Sequence, residues 1–256
     1  MIESSQNPVF KKVFSLVASK GIKKERLFLV SGEKIIQEFL QSPNLEIVHE
    51  VKTPKHASLN SCDSVIDFSK ELFDKIDVLG THFNILVLRL PEIPCLSLDQ
   101  VSGYAPKGLE VMCPVGDPGN LGALIRSCDA FGVSRLLLTE EAANPFLPKS
   151  VKASAGSVLR LPIISVPTLA SFSEKQNSSN IFALDMSGKS IEQLNFPSNL
   201  LLVLGQEGLG ISECDFINKI SIPTANVESL NVVVASSIAL FHISRNICIS
   251  SKNNLR

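Results

Sequence analysis

The chain has 256 residues, more than one average domain, and its 45% hydrophobic content allows a substantial core without approaching membrane composition. Charged residues make up 19% and the formal net charge is −1, so overall charge does not mark a polyanion-binding protein. The six cysteines at 62, 95, 113, 128, 214 and 248 contain no CxxC pair and the four histidines at 49, 56, 82 and 242 are scattered, so no metal site is expected. The N-terminus has no basic-then-apolar leader, and a cytoplasmic location with reduced thiols is expected. The most apolar stretch, 229–244, lacks formal charge but falls short of the roughly 20 residues of a bilayer span, so it reads as a buried helix and no membrane association is expected.

In chain order, the pattern predicts a helix over 8–19, a strand over 27–30 and an amphipathic helix over 33–40. Strands at 46–51 and 65–67, a helix at 70–76 and a strand at 84–90 complete an α/β unit over residues 1–90. Pro91, Pro94 and Pro106 interrupt regular structure over 91–107, which reads as a linker. From 108 to 256 a second alternation follows, with strands at 109–113, 135–138, 162–166, 181–184, 200–204 and 219–222. Helices are expected at 121–131, 149–155, 169–175 and 230–246. Short apolar strands alternating with helices imply an α/β fold with a mostly parallel sheet.

Charge is less even than its sum. Lys11, Lys12, Lys20, Lys23, Lys24 and Arg26 face only Glu3 and Glu25 within 1–26, and 142–173 holds Lys149, Lys152 and Arg160 with no acid. A solvated surface accounts for either cluster as well as a polyanion site does.

Three segments can carry chemistry. Asp117-Pro118-Gly119-Asn120-Leu121-Gly122 joins a strand to a helix; Asn120 can cap that helix, and Arg126 lies less than two turns into it, near the same mouth. A plain strand–turn–helix junction and a surface Arg explain these residues equally well. The strand at 200–204 runs into Gly205-Gln206-Glu207-Gly208-Leu209-Gly210, where an open α/β sheet binds ligands. The order GxEGxG is not a dinucleotide fingerprint, and Glu207 disfavours a pyrophosphate while suiting a positive or neutral ligand such as a sulfonium; a glycine-rich turn with a solvated Glu is the alternative. The third segment ends a strand at Ile222-Pro223 and opens the apolar helix at Ser229-Leu230-Asn231. Ser229 suits an N-cap, whereas Asn231 is an amide at the head of an apolar helix and needs a partner. His242 reads as a core or interface side chain.

Taken in order, these segments resemble the SpoU (TrmH-like) branch of the SPOUT RNA 2′-O-ribose methyltransferases. The first motif covers 117–126 and continues through Asp129 and Gly132. Pro148-Lys149-Ser150-Val151-Lys152, Ser154, Gly156 and Arg160-Leu161-Pro162 follow the family wording, then Leu204-Gly205-Gln206-Glu207-Gly208, then Ile222-Pro223 with Ser229-Leu230-Asn231. The N-terminal region is similar to the family's small L30e-like substrate-binding domain, although Val30-Ser31-Gly32 departs from the usual Val-Glu-Gly.

The resemblance implies a C-terminal SPOUT domain with a deep trefoil knot, a homodimer, and S-adenosylmethionine as methyl donor without a metal. It implies methyl transfer to a ribose 2′-hydroxyl of RNA, ribosomal RNA before tRNA; a tRNA enzyme and a non-catalytic RNA-binding relative are the alternatives. Leu204, Gly205, Gly208, Ile222, Pro223 and Leu230 are then expected at the cofactor, and Arg126, Asn120, Glu207, Ser229 and Asn231 in catalysis. Lys11, Lys12, Lys23, Lys24, Arg26, Lys149 and Lys152 are expected at the RNA. An arginine stays protonated in proteins, so Arg126 is read as gripping phosphate and stabilising a developing alkoxide.

Overall fold

The computed structural model describes residues 1–41, 46–101, 103–174, 179–206, 210–211 and 218–253. The chain divides into two compact units: Met1–Glu92 with Asn144–Val158, and Ile93–Ala143 with Leu159–Arg256.

In the first unit, β1 (Leu27–Ser31), β2 (Ile47–Lys52), β3 (Val65–Asp67) and β4 (Ile85–Arg89) form a sheet in the order β1-β4-β2-β3, antiparallel except for β2 with β3. The helices are α1 (Pro8–Ser15), α2 (Ser19–Glu25), α3 (Glu33–Leu40) and α4 (Lys70–Ile76). Asn7 caps α1 by accepting from Val9 N at 2.8 Å with Pro8 at the first helical position, and Ser69 caps α4. Sequence pattern predicted one helix over 8–19; the chain instead turns at 16–18 and restarts as α2.

Leu27 and Leu29 of β1 face a core of Phe10, Val13, Leu16, Phe68, Leu72 and Phe73. Phe28, one residue out of phase and also buried, meets Phe146 with ring centroids 5.0 Å apart. A strand buried on both faces needs a second cover. It comes from Asn144–Val158, whose helix α7 (Pro148–Ser154) packs on β1. Asn144 donates to Ser19 Oγ at 3.1 Å and Lys152 to the Leu79 carbonyl at 3.4 Å, both within the same unit. This segment lies inside the stretch that the sequence assigns wholly to the second domain.

The second unit carries β5 (Leu109–Cys113), β6 (Arg135–Leu138), β7 (Ile163–Ser165), β8 (Ile181–Ser190), β9 (Leu200–Val203) and β10 (Asn218–Ser221). Their order is β10-β8-β9-β5-β6-β7, and every described pairing is parallel. The helices are α5 (Leu98–Val101), α6 (Pro118–Ala130), α8 (Leu169–Ser173) and α9 (Val232–Asn253). Met112, Leu137, Val166, Phe172, Ala183, Leu201 and Val203 form the core on one face. Among the described residues no helix is long and apolar enough to cross a membrane.

The proline-rich stretch read as a linker is built into this unit from Ile93 onward. Leu96 N donates to the Ser165 carbonyl at 2.9 Å and Ser165 N to the Pro94 carbonyl at 2.8 Å, extending the sheet beyond β7. Val101 is buried in the core, and Tyr104 packs beside it and donates to Glu110 Oε2 at 2.6 Å. Glu110 is fully buried and also accepts from Lys107 N at 2.9 Å and Arg135 Nε at 2.8 Å. The prolines break regular structure, but the apolar residues between them still have a core to enter.

β8 is interrupted. One step along β10, from Lys219 to Ile220, corresponds to the step from Ala183 to Lys189 on β8, so residues 184–188 leave the ladder. Gly188 closes this bulge against β10: a Cβ there would lie 2.4 Å from Ile220 N, closer than any side chain tolerates. The sequence pattern ends this strand at 184, whereas the strand returns to the ladder at Lys189.

Candidate functional site

Parallel strands in an open α/β sheet leave their carboxyl ends free, and ligands bind there. The carboxyl ends of β9 and β10, together with the bulge in β8, surround a cavity of about 610 Å³ in the second unit. Leu184, Asp185 and Met186 come from the bulge, Leu204, Gly205 and Gln206 follow β9, and Ser221 ends β10 with Ile222 and Thr224 after it. Glu228, Ser229, Leu230, Asn231, Val232 and Ala235, at and before the start of α9, close it, with Gly210 and Ile211. A volume of this size suits a small molecule of nucleoside dimensions.

The wall after β9 is held by a reciprocal bridge: Gln206 N donates to Gly210 O at 2.9 Å and Gly210 N to Gln206 O at 2.8 Å. Gly205 makes this possible, because a Cβ on it would sit 2.7 Å from the Gly210 carbonyl carbon. Leu204 is buried and donates its N–H to the Met112 carbonyl at 3.0 Å, which ties the wall to the centre of the sheet. Asn231, not Ser229, is the N-cap of α9: its Oδ1 accepts from Val233 N at 2.9 Å and its carbonyl accepts from Ala235 N at 2.9 Å. The helix therefore begins at Val232, two residues later than the pattern suggests. The cap satisfies one end of the Asn231 amide, and the residue still lines the cavity.

The described lining residues include two acids, Asp185 and Glu228, and no Lys, Arg or His. Burial pushes the Asp185 carboxyl up, but donation from Ser187 Oγ and from Ser187 N at 2.8 Å, together with the nearby Lys219 ammonium, outweighs it and leaves the group below its ordinary value. Asp185 is thus an anion at neutral pH. Such a cavity offers apolar walls, strand-end peptide groups and negative charge, a poor match for a polyphosphate and a good one for a cationic nucleoside.

The first motif lies beside this cavity and contributes no lining residue. Asp117, not Asn120, caps α6: its Oδ1 accepts from Asn120 N at 2.8 Å, with Pro118 opening the helix. Asn120 sits half-buried in the first turn. Leu121, Leu124, Ile125 and Cys128 are buried, which leaves Arg126 on the exposed side of the helix. α6 is fixed to α9 by Ser127 Oγ and Ser237 Oγ at 2.8 Å and by an edge-on contact of Phe131 with Phe241 at 6.1 Å. Arg126 is therefore carried by a helix anchored to the element that closes the cavity.

Of the residues expected at the cofactor or in catalysis, Leu204, Gly205, Ile222, Ser229, Leu230 and Asn231 line the cavity, whereas Pro223, Asn120 and Arg126 do not. Glu207 and Gly208 lie outside the described residues. Asp185, Met186, Ser221, Thr224 and Glu228 line it without having been singled out. Lys11, Lys12, Lys23, Lys24, Arg26, Lys149 and Lys152 all belong to the first unit and are exposed. Lys12 and Lys24 flank Glu25 at 3.9 and 3.4 Å, and Lys11 donates to Gln6 at 2.6 Å.

Residues 110–241 match the model of the SpoU rRNA Methylase family. The chain is 34% identical over 255 residues to the ribosomal RNA small subunit methyltransferase G 2 of Syntrophobacter fumaroxidans, covering 95% of this chain but spanning only 49% of that relative. It is 26% identical to the 23S rRNA (guanosine(2553)-2′-O)-methyltransferase RlmP of Bacillus subtilis, covering 94% of this chain and 98% of that one. Among solved structures, the AdoMet-bound rRNA methyltransferase from Sinorhizobium meliloti superposes with a TM-score of 0.74 at 23% identity, over 95% of this chain and 97% of that chain, and so shares the fold.

Proposed function

The chain belongs to the SpoU rRNA Methylase family, and from that membership we propose that it is an S-adenosylmethionine-dependent RNA methyltransferase that modifies a ribose 2′-hydroxyl of ribosomal RNA in the cytoplasm. The observation that carries this reading is the cavity at the ends of three adjacent parallel strands, with anionic Asp185 and no base among its described lining residues. A nucleoside triphosphate would meet no neutralising cation there, whereas a sulfonium meets a carboxylate. The names of relatives that act on ribosomal RNA support the substrate.

The cofactor, when bound, supplies an electrophilic methyl group on a sulfonium. The chain's part is to bind, orient and stabilise. Leu204, Gly205, Ile222 and Leu230, which line the cavity, hold the adenosine and methionine portions through strand-end backbone groups and apolar contact. Arg126, exposed and permanently charged, grips the phosphate beside the target ribose and stabilises the alkoxide as the hydroxyl loses its proton. Asn120 and Asn231 orient the reacting groups, with Ser229 at the cavity wall and Glu207 in the second motif. Lys11, Lys12, Lys23, Lys24, Arg26, Lys149 and Lys152, exposed on the first unit, an L30e-like substrate domain in this reading, track the RNA backbone. The family's trefoil knot would be threaded through the segments that wall the cavity.

A second copy of the chain completes the enzyme. On α9, Ser236, Ala239, Leu240 and Ile243 are buried, while Val234, Ile238 and Phe241 are 48%, 41% and 53% exposed along the opposite side. Their spacing makes one apolar stripe on a helix already half inside the core, the pattern of a two-fold interface.

Incubating the purified protein with labelled S-adenosylmethionine and unmodified ribosomal RNA or tRNA tests the reading, with 2′-O-methyl positions mapped afterwards. Label is expected in ribosomal RNA. Arg126→Ala is expected to abolish transfer while calorimetric cofactor affinity stays within about threefold. Absence of label in both RNA pools would overturn the enzymatic reading, and parallel loss of transfer and cofactor binding would remove Arg126 from its role.

A further inference from the structure

Asp185 reaches the cavity wall only because β8 leaves the sheet for residues 184–188 and returns at Lys189. Ser187, on the same bulge, donates to Asp185 Oδ1 through both its N–H and its hydroxyl, which fixes the carboxylate as an acceptor. Among the described residues Asp185 makes no ion pair within 4.0 Å; Lys219, one strand over and not part of the lining, is the cation whose field reaches it. Glu228 adds a second carboxylate at the exposed rim.

The two ends of a methyl transfer differ in charge at one atom. The donor carries a sulfonium, an ammonium and a carboxylate, net one positive charge. The thioether product keeps the ammonium and carboxylate and is neutral overall. Adenine, ribose and the amino acid tail are common to both, so apolar walls and strand-end peptide groups cannot tell them apart. A fixed carboxylate with no cation beside it in the lining can.

Resting on the proposed methyl-donor function, we infer that Asp185, assisted by Glu228, makes this cavity select the sulfonium donor over its neutral thioether product, and is thereby a specificity-determining residue that limits product inhibition. Opposite unit charges held within about 7 Å of each other, in a medium between protein surface and water, attract strongly enough to favour a charged ligand over a neutral one roughly five- to tenfold. Glu228 contributes less because solvent screens it.

The test is calorimetric binding of S-adenosylmethionine, S-adenosylhomocysteine and an analogue bearing a protonated amine in place of the sulfonium, to the full chain and to Asp185→Asn. The amide keeps the acceptor for Ser187 and loses only the charge. The donor and the amine analogue are expected to weaken roughly five- to tenfold while the thioether changes less than about twofold, and raising salt should narrow the wild-type preference. Equal weakening of all three ligands would overturn the inference and make Asp185 a partner of the ribose or amino group. Unchanged affinities would overturn it as well. Should Asp185→Asn fail to fold, Glu228→Gln, at an exposed position, is expected to shift the same ratio in the same direction by about twofold, and no shift there would be equally decisive. Wild-type protein that binds none of the three would instead refute the proposed function, so the two failures are distinguishable.

Discussion

Gly205→Ala tests whether the cavity depends on the close approach behind it. The new Cβ would lie 2.7 Å from the Gly210 carbonyl carbon and 2.8 Å from its Cα, both backbone atoms, so no side chain can swing aside. Reaching the 3.4 Å edge of ordinary contact requires a retreat of about 0.7 Å. That retreat stretches the Gln206 and Gly210 bridge, whose two hydrogen bonds measure 2.9 and 2.8 Å. Each such bond contributes about 1 kcal/mol net, so restoring the wall on ligand binding costs about 2 kcal/mol, or roughly a thirtyfold loss in affinity. The assay is calorimetric Kd for S-adenosylmethionine, with Gly116→Ala as the control, because a Cβ at Gly116 meets its nearest neighbour at 3.8 Å. Wild-type affinity in Gly205→Ala would refute the claim that this bridge shapes the site.

Two further outcomes follow from surfaces and networks away from the cavity. Ile238→Asp places a charge in the exposed stripe of α9 and is expected to convert a dimer into a folded monomer in sedimentation velocity; an unchanged sedimentation coefficient would exclude this stripe as the interface. Burial, the hydrogen bond to Glu110 and the Glu110 charge raise the Tyr104 hydroxyl above its ordinary value of 10.0, so the stability it contributes is intact below about pH 10 and is lost as pH rises toward the raised value. Urea unfolding above that pH should therefore show a fall of up to about 1.4 kcal/mol per unit that Tyr104→Phe abolishes, and equal slopes in both proteins would refute the assignment.

Much of this molecule is legible in one dimension. Apolar runs ending in glycine or proline mark the carboxyl ends of β9 and β10, where the cavity forms, whereas the pattern places the cap of α6 at Asn120 and its start at 121, three residues later than the Asp117 cap and Pro118 set it. What escapes is whatever depends on which surface an element meets. Phe146 and Val151 announce a buried segment, but nothing in their spacing says that β1 of the first unit, rather than the second sheet, receives them. Ser229 and Asn231 are both capping residues two positions apart, and local pattern does not say that the Val233 amide goes to the later one. Asp185 is hidden from local pattern for the same cause. Asp185-Met186-Ser187-Gly188 has the composition of a turn, so the strand reads as finished at 184. It resumes because Lys189 and Ser190 pair with Ile220 and Ser221, a contact between segments about 30 residues apart that no local pattern encodes. A strand that breaks and then returns to its own sheet opens that sheet toward a ligand, so the overlooked carboxylate and the cavity it lines have a single cause.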